Sequence, residues 1–104
     1  MTLEKDIEQK LIKIVERHGG MCLKWVCPGW AGVPDRIILM PGGRVIFVEL
    51  KRPQAGVISR RQLWWQGKLN KLGFTHWFVT DDNALAAFER TLTLMDLEQE
   101  GGPK

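Results

Sequence analysis

The feature that most constrains this chain is an apolar run at residues 44–51, which reads RVIFVELK. Side chains alternate between the two faces of a strand, and both alternating sets are apolar in this run. One set includes Val45 and Phe47, and the other includes Ile46 and Val48. A strand that is apolar on both faces lies inside a sheet, with further layers packed on both sides. A chain of 104 residues is long enough to build one such layered domain.

Hydrophobic spacing and turn residues divide the rest of the chain into elements. The predicted helices cover residues 3–18, 60–72 and 84–95, and the predicted strands cover residues 21–27, 35–40, 44–51 and 74–80. Ser59 and Gln62 fit a capping box at the start of the second helix. A strand, a helix and a strand in succession favour a parallel crossover. We therefore predict an α/β fold of order α-β-β-β-α-β-α, with helices packed on a mixed four-stranded sheet. Residues 1–96 are expected to form one domain, and residues 97–104 a flexible tail.

The turn at residues 41–43, PGG, sets the pairing of the strands on either side of it. If the turn is centred on Gly42, Asp35 lies opposite Glu49, with Cβ atoms about 4.5–5.5 Å apart. Two carboxylates at that distance repel, and a divalent cation such as Mg²⁺ is the usual compensation. Lys51 projects to the same face, where an ammonium can orient an attacking water beside a metal-bound phosphate. The alternative is an ordinary solvated hairpin that carries three charges.

Charge is unevenly distributed along the chain. Residues 36–71 hold eight Lys or Arg and one acid, for a net charge of +7, whereas the remaining residues carry −4. A basic middle predicts a polyanionic partner such as nucleic acid, and the alternative is a set of solubilising charges. The longest apolar run, at 84–88, has five residues, where a membrane span needs about 20. The first ten residues contain no apolar segment typical of a signal peptide, so we expect a cytoplasmic protein with no membrane partner.

Cys22 and Cys27 are the two cysteines of the sequence. On one strand they would point to opposite faces about 16 Å apart, whereas a disulfide requires Cα atoms within about 7 Å. We expect two free, buried thiols. A zinc site with His18 or His76 is the alternative, although the spacing matches no common zinc motif.

Three motifs follow one another along the chain: Gly32-Val33-Pro34-Asp35-Arg36, then Val48-Glu49-Leu50-Lys51-Arg52-Pro53, then Gly56, Ser59 and Gln62. In this order they resemble the VRR-NUC family, which belongs to the PD-(D/E)xK nuclease superfamily. With Glu8 and Lys24, the resemblance covers about residues 8–80. It implies a restriction-endonuclease-like core, αβββαβ(α), and cleavage of DNA phosphodiester bonds that depends on Mg²⁺ or Mn²⁺. It also implies that Asp35 and Glu49 bind the metal with the backbone carbonyl of Leu50, and that Lys51 assists the attacking water.

Three further positions resemble active-site residues of the family, and each also has a simpler interpretation. Glu8 resembles an acidic residue of the first helix, or it is a solvated charge beside the apolar stripe. Gln62 resembles a glutamine that faces the active site, or it only closes the capping box. Lys24 resembles a lysine of the family's first strand and is a candidate for DNA contact, or it is an exposed strand lysine.

Other residues are candidates for contacts with partners. Four arginines would position DNA through phosphate contacts without reading its sequence, namely Arg36, Arg52, Arg60 and Arg61. Trp64 and Trp65 are adjacent, so they cannot both face the core from one helical stripe. The outward tryptophan either contacts a partner chain or stacks on a base. The resemblance favours the partner chain, since standalone viral-type proteins of this family are homodimers similar to Holliday-junction resolvases.

The favoured function is a homodimeric, metal-dependent DNA endonuclease that is selective for branched DNA. We expect it to act on four-way junctions in a phage or phage-derived setting. A general or nicking nuclease without junction preference is the first alternative. A catalytically silent nucleic-acid-binding module is the second.

Overall fold

The computed structural model describes residues 4–51 and 57–99 of the chain. Its elements are α1 (Glu4–Arg17), β1 (Met21–Lys24), β2 (Arg36–Met40), β3 (Arg44–Leu50), α2 (Arg60–Lys71), β4 (Thr75–Val79) and α3 (Asp82–Gln99). The strands form a four-stranded sheet in the order β1-β2-β3-β4. The β1–β2 and β2–β3 pairs are antiparallel, and β3 and β4 are parallel. These findings confirm the predicted α/β fold, the order of elements and the parallel crossover through α2.

The strand β3 lies inside the sheet and is buried on both faces, as its two apolar sets predict. Val48 is 0% exposed on one face and Phe47 is 7% exposed on the other. The face with Val48 forms the main core with α1 and α3, to which Ile7 and Phe88 contribute fully buried side chains. On the opposite face, α2 packs against β4 and buries Leu69. Burying each large apolar side chain of this kind stabilises the fold by roughly 1.5–3 kcal/mol.

The hairpin of β2 and β3 has the predicted register. Gly42 and Gly43 adopt φ angles of +84° and +74°, which suit glycine in a tight turn. Ile38 lies opposite Ile46, and the last pair of the ladder is Arg36 opposite Val48. The residues next to that last pair are Asp35 and Glu49, so the turn carries both carboxylates to the same end of the hairpin.

Two elements differ from the prediction by two residues or more. The strand β1 ends at Lys24, three residues early, because the chain turns where the N–H of Trp30 donates to the carbonyl of Cys27 at 3.2 Å. The helix α3 begins at Asp82 and continues to Gln99, so it enters the segment expected to be a tail. Ion pairs from its last turns to His18 and Arg44 hold it in place. None of the helices within residues 4–51 and 57–99 is long and apolar enough to cross a membrane.

Candidate functional site

Asp35 and Glu49 are held by different partners at the open end of the hairpin. The Asp35 Oδ2 atom accepts a 2.8 Å hydrogen bond from the backbone N–H of Leu50. Glu49 is 6% exposed, and its Oε2 atom accepts a 2.5 Å hydrogen bond from Gln62 Nε2. The Nζ atom of Lys51 lies 3.9 Å from the same Glu49 oxygen. The structure thus brings together five residues that the sequence singled out.

The environment of Glu49 opposes its negative charge. Burial and the neighbouring Asp35 carboxylate raise the pKa of Glu49 to about 7. The Lys51 ammonium, a backbone hydrogen bond from Asp35 and the hydrogen bond from Gln62 act in the other direction, because they favour the charged form. A cation beside the two carboxylates would reinforce that second set of effects.

Gln62 joins the helix cap to this carboxylate. The Ser59 hydroxyl accepts a hydrogen bond from the Gln62 backbone N–H at 3.2 Å, and Gln62 Oε1 accepts one from the Ser59 backbone N–H at 2.9 Å. This confirms the predicted capping box. The amide nitrogen of the same side chain contacts Glu49. The two interpretations of Gln62 are therefore compatible, since one side chain does both.

A cavity of about 290 Å³ opens beside Asp35, between α1 and the sheet. Asp35 and Leu50 line it together with Glu8 and Lys24, the two residues of the resemblance that lie outside its three motifs. Lys5 also lines it, and the sequence reasoning missed this residue. Lys5 lies three positions before Glu8, a spacing that places side chains on the same helical face, so the signal was present.

Arg36 does not fit the prediction that it contacts DNA phosphate. Its Nη2 atom forms a 2.9 Å ion pair with Glu8, and Nη1 lies 3.5 Å from the Cys22 carbonyl oxygen. Only 13% of its side chain is exposed, so it fixes α1 on the sheet instead. Lys24, Arg60 and Arg61 are exposed and remain candidates for phosphate contacts. The corresponding prediction for Arg52 lies outside the described residues.

The outward member of the tryptophan pair is Trp64, which is 51% exposed. Trp65 is half-buried, and its Nε1–H donates to the Ala31 carbonyl at 3.0 Å. The Trp65 ring also packs edge-on against Trp25, Trp30 and Trp64, with centroids 5.2–5.9 Å apart. Trp30 is 60% exposed and was not singled out from the sequence, where the only signal was the high tryptophan content.

The cysteines and histidines do not assemble into a zinc site. Cys22 and Cys27 are free thiols, but they are half-buried rather than buried as expected. Burial raises the pKa of the Cys22 thiol to about 11. His18 contacts carboxylates on α3, and His76 is buried in β4. Within the described ranges, no three His, Cys, Asp or Glu side chains form a group that could hold a metal ion.

Comparisons with known proteins agree with the fold. No family model matches the chain. A solved structure described as a VRR_NUC domain superposes with a TM-score of 0.76 at 24% identity, over 86% of this chain and 97% of that one. "Putative nuclease p44" of Acyrthosiphon pisum secondary endosymbiont phage 1 is 48% identical over 50 residues, or 48% of this chain and 54% of that protein. This chain therefore spans about half the length of that curated relative. The structural likeness shows that the chain has the fold of the VRR-NUC domain.

Proposed function

We propose that this protein is an endonuclease that hydrolyses phosphodiester bonds of DNA and depends on Mg²⁺ or Mn²⁺. The observation that carries the proposal is the meeting of Asp35, Glu49 and Lys51 at one end of the hairpin. The likeness to a VRR_NUC domain and the name of the phage relative support the same activity.

The donor set fits a hard divalent cation. Asp35 and Glu49 offer carboxylate oxygens, and Mg²⁺ is usually bound by one or two carboxylates while it keeps several waters for the substrate phosphate. The absence of a third His, Cys, Asp or Glu ligand in the described part of the chain is compatible with that preference. The Leu50 carbonyl is the further ligand that we propose. Glu8 is paired with Arg36, so we assign it a supporting role at the cavity that Asp35 lines.

The chain's own residues prepare the site for a phosphate group. The amide of Gln62 orients Glu49, and the N–H of Leu50 orients Asp35, so both carboxylates are fixed before substrate arrives. The Lys51 ammonium would hold the attacking water or the scissile phosphate and offset the negative charge that develops there. A bound divalent cation would supply an activated water and neutralise charge on the phosphate.

We further propose that the protein acts on branched DNA as a homodimer. The open sheet face, formed by Met21, Leu23 and Leu39, lies on the same side of the sheet as α2 but is left exposed by it. Exposed apolar surface of this kind marks partner surfaces. A two-fold pair of chains would place two active sites in related orientations, as paired cuts in a four-way junction require.

The test is cleavage of labelled four-way, flap, duplex and single-stranded DNA, with Mg²⁺ or Mn²⁺ and with EDTA. The wild-type protein is expected to cut four-way junctions in paired fashion with metal and to cut nothing in EDTA. Asp35→Asn and Glu49→Gln should each lower the cleavage rate more than about a hundredfold, because each removes a charged metal ligand.

The matched control is Glu98→Gln, which neutralises a 69% exposed carboxylate. Its partner Arg44 lies beside the turn, at the other end of the hairpin from Asp35 and Glu49. This variant should cut at the wild-type rate. Melting curves establish that every variant is folded. A folded Glu49→Gln protein that cleaves as fast as the wild type would contradict the assignment, and equal cutting of all four DNAs would reject selectivity for branches.

A further inference from the structure

A cavity of about 740 Å³ lies between the loop that follows β1 and the first turns of α2. Its lining includes Trp30, Trp64, Trp65, Arg60 and Arg61, and we call it the tryptophan pocket. Trp30 and Trp64 are 60% and 51% exposed, an unusual position for the largest apolar side chain. The carboxylate site uses none of these residues, so they require a separate explanation.

The tryptophan pocket is held in shape by Trp65. The centroid of the Trp65 ring lies 5.8 Å from that of Trp30 and 5.2 Å from that of Trp64. The plane of the Trp65 ring is nearly perpendicular to the planes of both. Its Nε1–H donates to the Ala31 carbonyl and so ties α2 to the loop. The two exposed rings are therefore in place before a ligand binds, which lowers the entropic cost of binding.

Positive charge accompanies the aromatic rings. Arg60 and Arg61 are exposed in the first turn of α2, which contains no acidic residue. The stem of Arg61 packs against Gly32, which has a φ of +78° and leaves no space there for a Cβ atom. An arginine guanidinium binds phosphate well, and a tryptophan face binds a flat aromatic ring. The ligand that satisfies both is a nucleotide.

We propose that the tryptophan pocket binds one unpaired nucleotide of a DNA substrate. Its base would stack on Trp30 or Trp64, and its phosphate would lie against Arg60 or Arg61. The proposal rests on the nuclease function above and adds to its branched substrates those in which a duplex meets an unpaired nucleotide, such as a flap. A base inside a duplex is covered on both faces by its neighbours, so only an unpaired base can stack on a tryptophan.

The pocket adjoins the carboxylate site at the start of α2. Arg60 and Arg61 directly precede Gln62, which donates to Glu49 at 2.5 Å. A nucleotide held by these arginines therefore lies within one helical turn of a residue that contacts the candidate metal ligand. The cavity volume also falls within the range of about 300–1,000 Å³ that is typical of small-molecule sites.

The experiment measures DNA binding in EDTA by fluorescence anisotropy, so that cleavage plays no part. Two DNAs share one duplex, but only one of them has a short single-stranded thymidine overhang. Trp64→Ala should weaken binding to the overhang DNA about tenfold and change binding to the blunt duplex less than twofold. The matched control, Leu63→Ala, changes a neighbour on α2 that is also 51% exposed but lies outside the pocket. It should alter neither affinity.

Equal losses on both DNAs, or no loss on either with Trp64→Ala and likewise with Trp30→Ala, would overturn the proposal. Light scattering tests whether a second copy of the chain, instead of DNA, occupies the pocket. If Trp64→Ala dissociates a dimer while the preference for the overhang is unchanged, the pocket holds a second chain. A failure of the proposed nuclease function would be detected separately, by measuring DNA cleavage. A protein that prefers the overhang in EDTA but cuts no DNA with Mg²⁺ contradicts that function alone.

Discussion

The side chain of Gln62 makes hydrogen bonds to groups from two different parts of the molecule. Its Oε1 atom caps α2 by accepting from the Ser59 backbone N–H, and its Nε2 atom donates to Glu49. Because both ends of the amide are engaged, the orientation of Glu49 is fixed by the position at which α2 starts. We infer that Gln62 is a positioning residue for the carboxylate.

We expect Gln62→Ala to lower cleavage about 10–100-fold, the usual effect of removing a group that orients a metal ligand. Ser59→Ala is the control, because it removes the other half of the capping box without touching Glu49. Each variant should lose about 1 kcal/mol of stability, measured by chemical denaturation, since each loses a cap hydrogen bond. Only Gln62→Ala should lose activity by more than a few fold. Equal losses of activity in the two variants would show that the cap alone matters.

Individual residues differ in how far the sequence could place them. The placement of Asp35 and Glu49 at one end of the hairpin was predictable, since a tight turn fixes the register of its two strands locally. The burial of Arg36 was not, because its partner Glu8 lies on a helix whose docking onto the sheet depends on the whole core. The sequence left open which of Trp64 and Trp65 faces outward for the same reason.

At the scale of elements, α1 and α3 are joined by a cluster of ion pairs. His18 Nδ1 lies 2.5 Å from Asp96 Oδ2, and His18 Nε2 lies 3.1 Å from Glu89 Oε2. Arg17 forms a second ion pair with Glu89 at 2.9 Å. The periodicity of α1 predicted its apolar stripe, but the polar partners of its C-terminal end come from a helix more than 70 residues away and leave no local pattern.

This cluster predicts a pH dependence of stability. Burial lowers the pKa of His18, but the hydrogen bonds and charges of Asp96 and Glu89 outweigh it and raise the pKa above its ordinary value of 6.5. The hydrogen bond from Arg17 lowers the pKa of Glu89, so this carboxylate stays charged under mildly acidic conditions. A histidine with a raised folded-state pKa stabilises the fold fully below about pH 6.5 and loses that contribution as the pH rises through the folded-state value.

We therefore expect the melting temperature of the wild type to exceed that of His18→Gln by more at pH 5.5 than at pH 9. Differential scanning fluorimetry across this range measures the difference. Lys10→Gln serves as the control, because it breaks another ion pair to α3, with Asp82, that contains no histidine. A constant difference between wild type and His18→Gln at all pH values would contradict the ion-pair role of His18.

At the scale of the whole molecule, the acidic ends of the chain fold back onto its basic middle. Glu8 pairs with Arg36, and Glu98 pairs with Arg44, each at 2.9 Å. The sequence showed the surplus of positive charge in residues 36–71 but could not show which bases are neutralised in the fold. The exposed bases that remain on α2 are Arg60, Arg61, Lys68 and Lys71. Nucleic acid is thus expected to approach along this helix.

The open sheet face is the second feature of the whole molecule that bears on assembly. Register places Met21 directly opposite Leu39, and these side chains are 57% and 38% exposed, with Leu23 beside them at 40%.

If two chains pair through this face, Leu39→Glu should produce a folded monomer, because the introduced charge lies at the surface in the monomer but is buried in the dimer. Size-exclusion chromatography with light scattering measures the mass. The monomer should lose paired cleavage of four-way junctions before it loses single nicks. Leu94→Glu, at a 62% exposed position on α3, should remain dimeric. A wild-type monomer at micromolar concentration that still makes paired cuts would refute the dimer, and dissociation by Leu94→Glu alone would move the interface to α3.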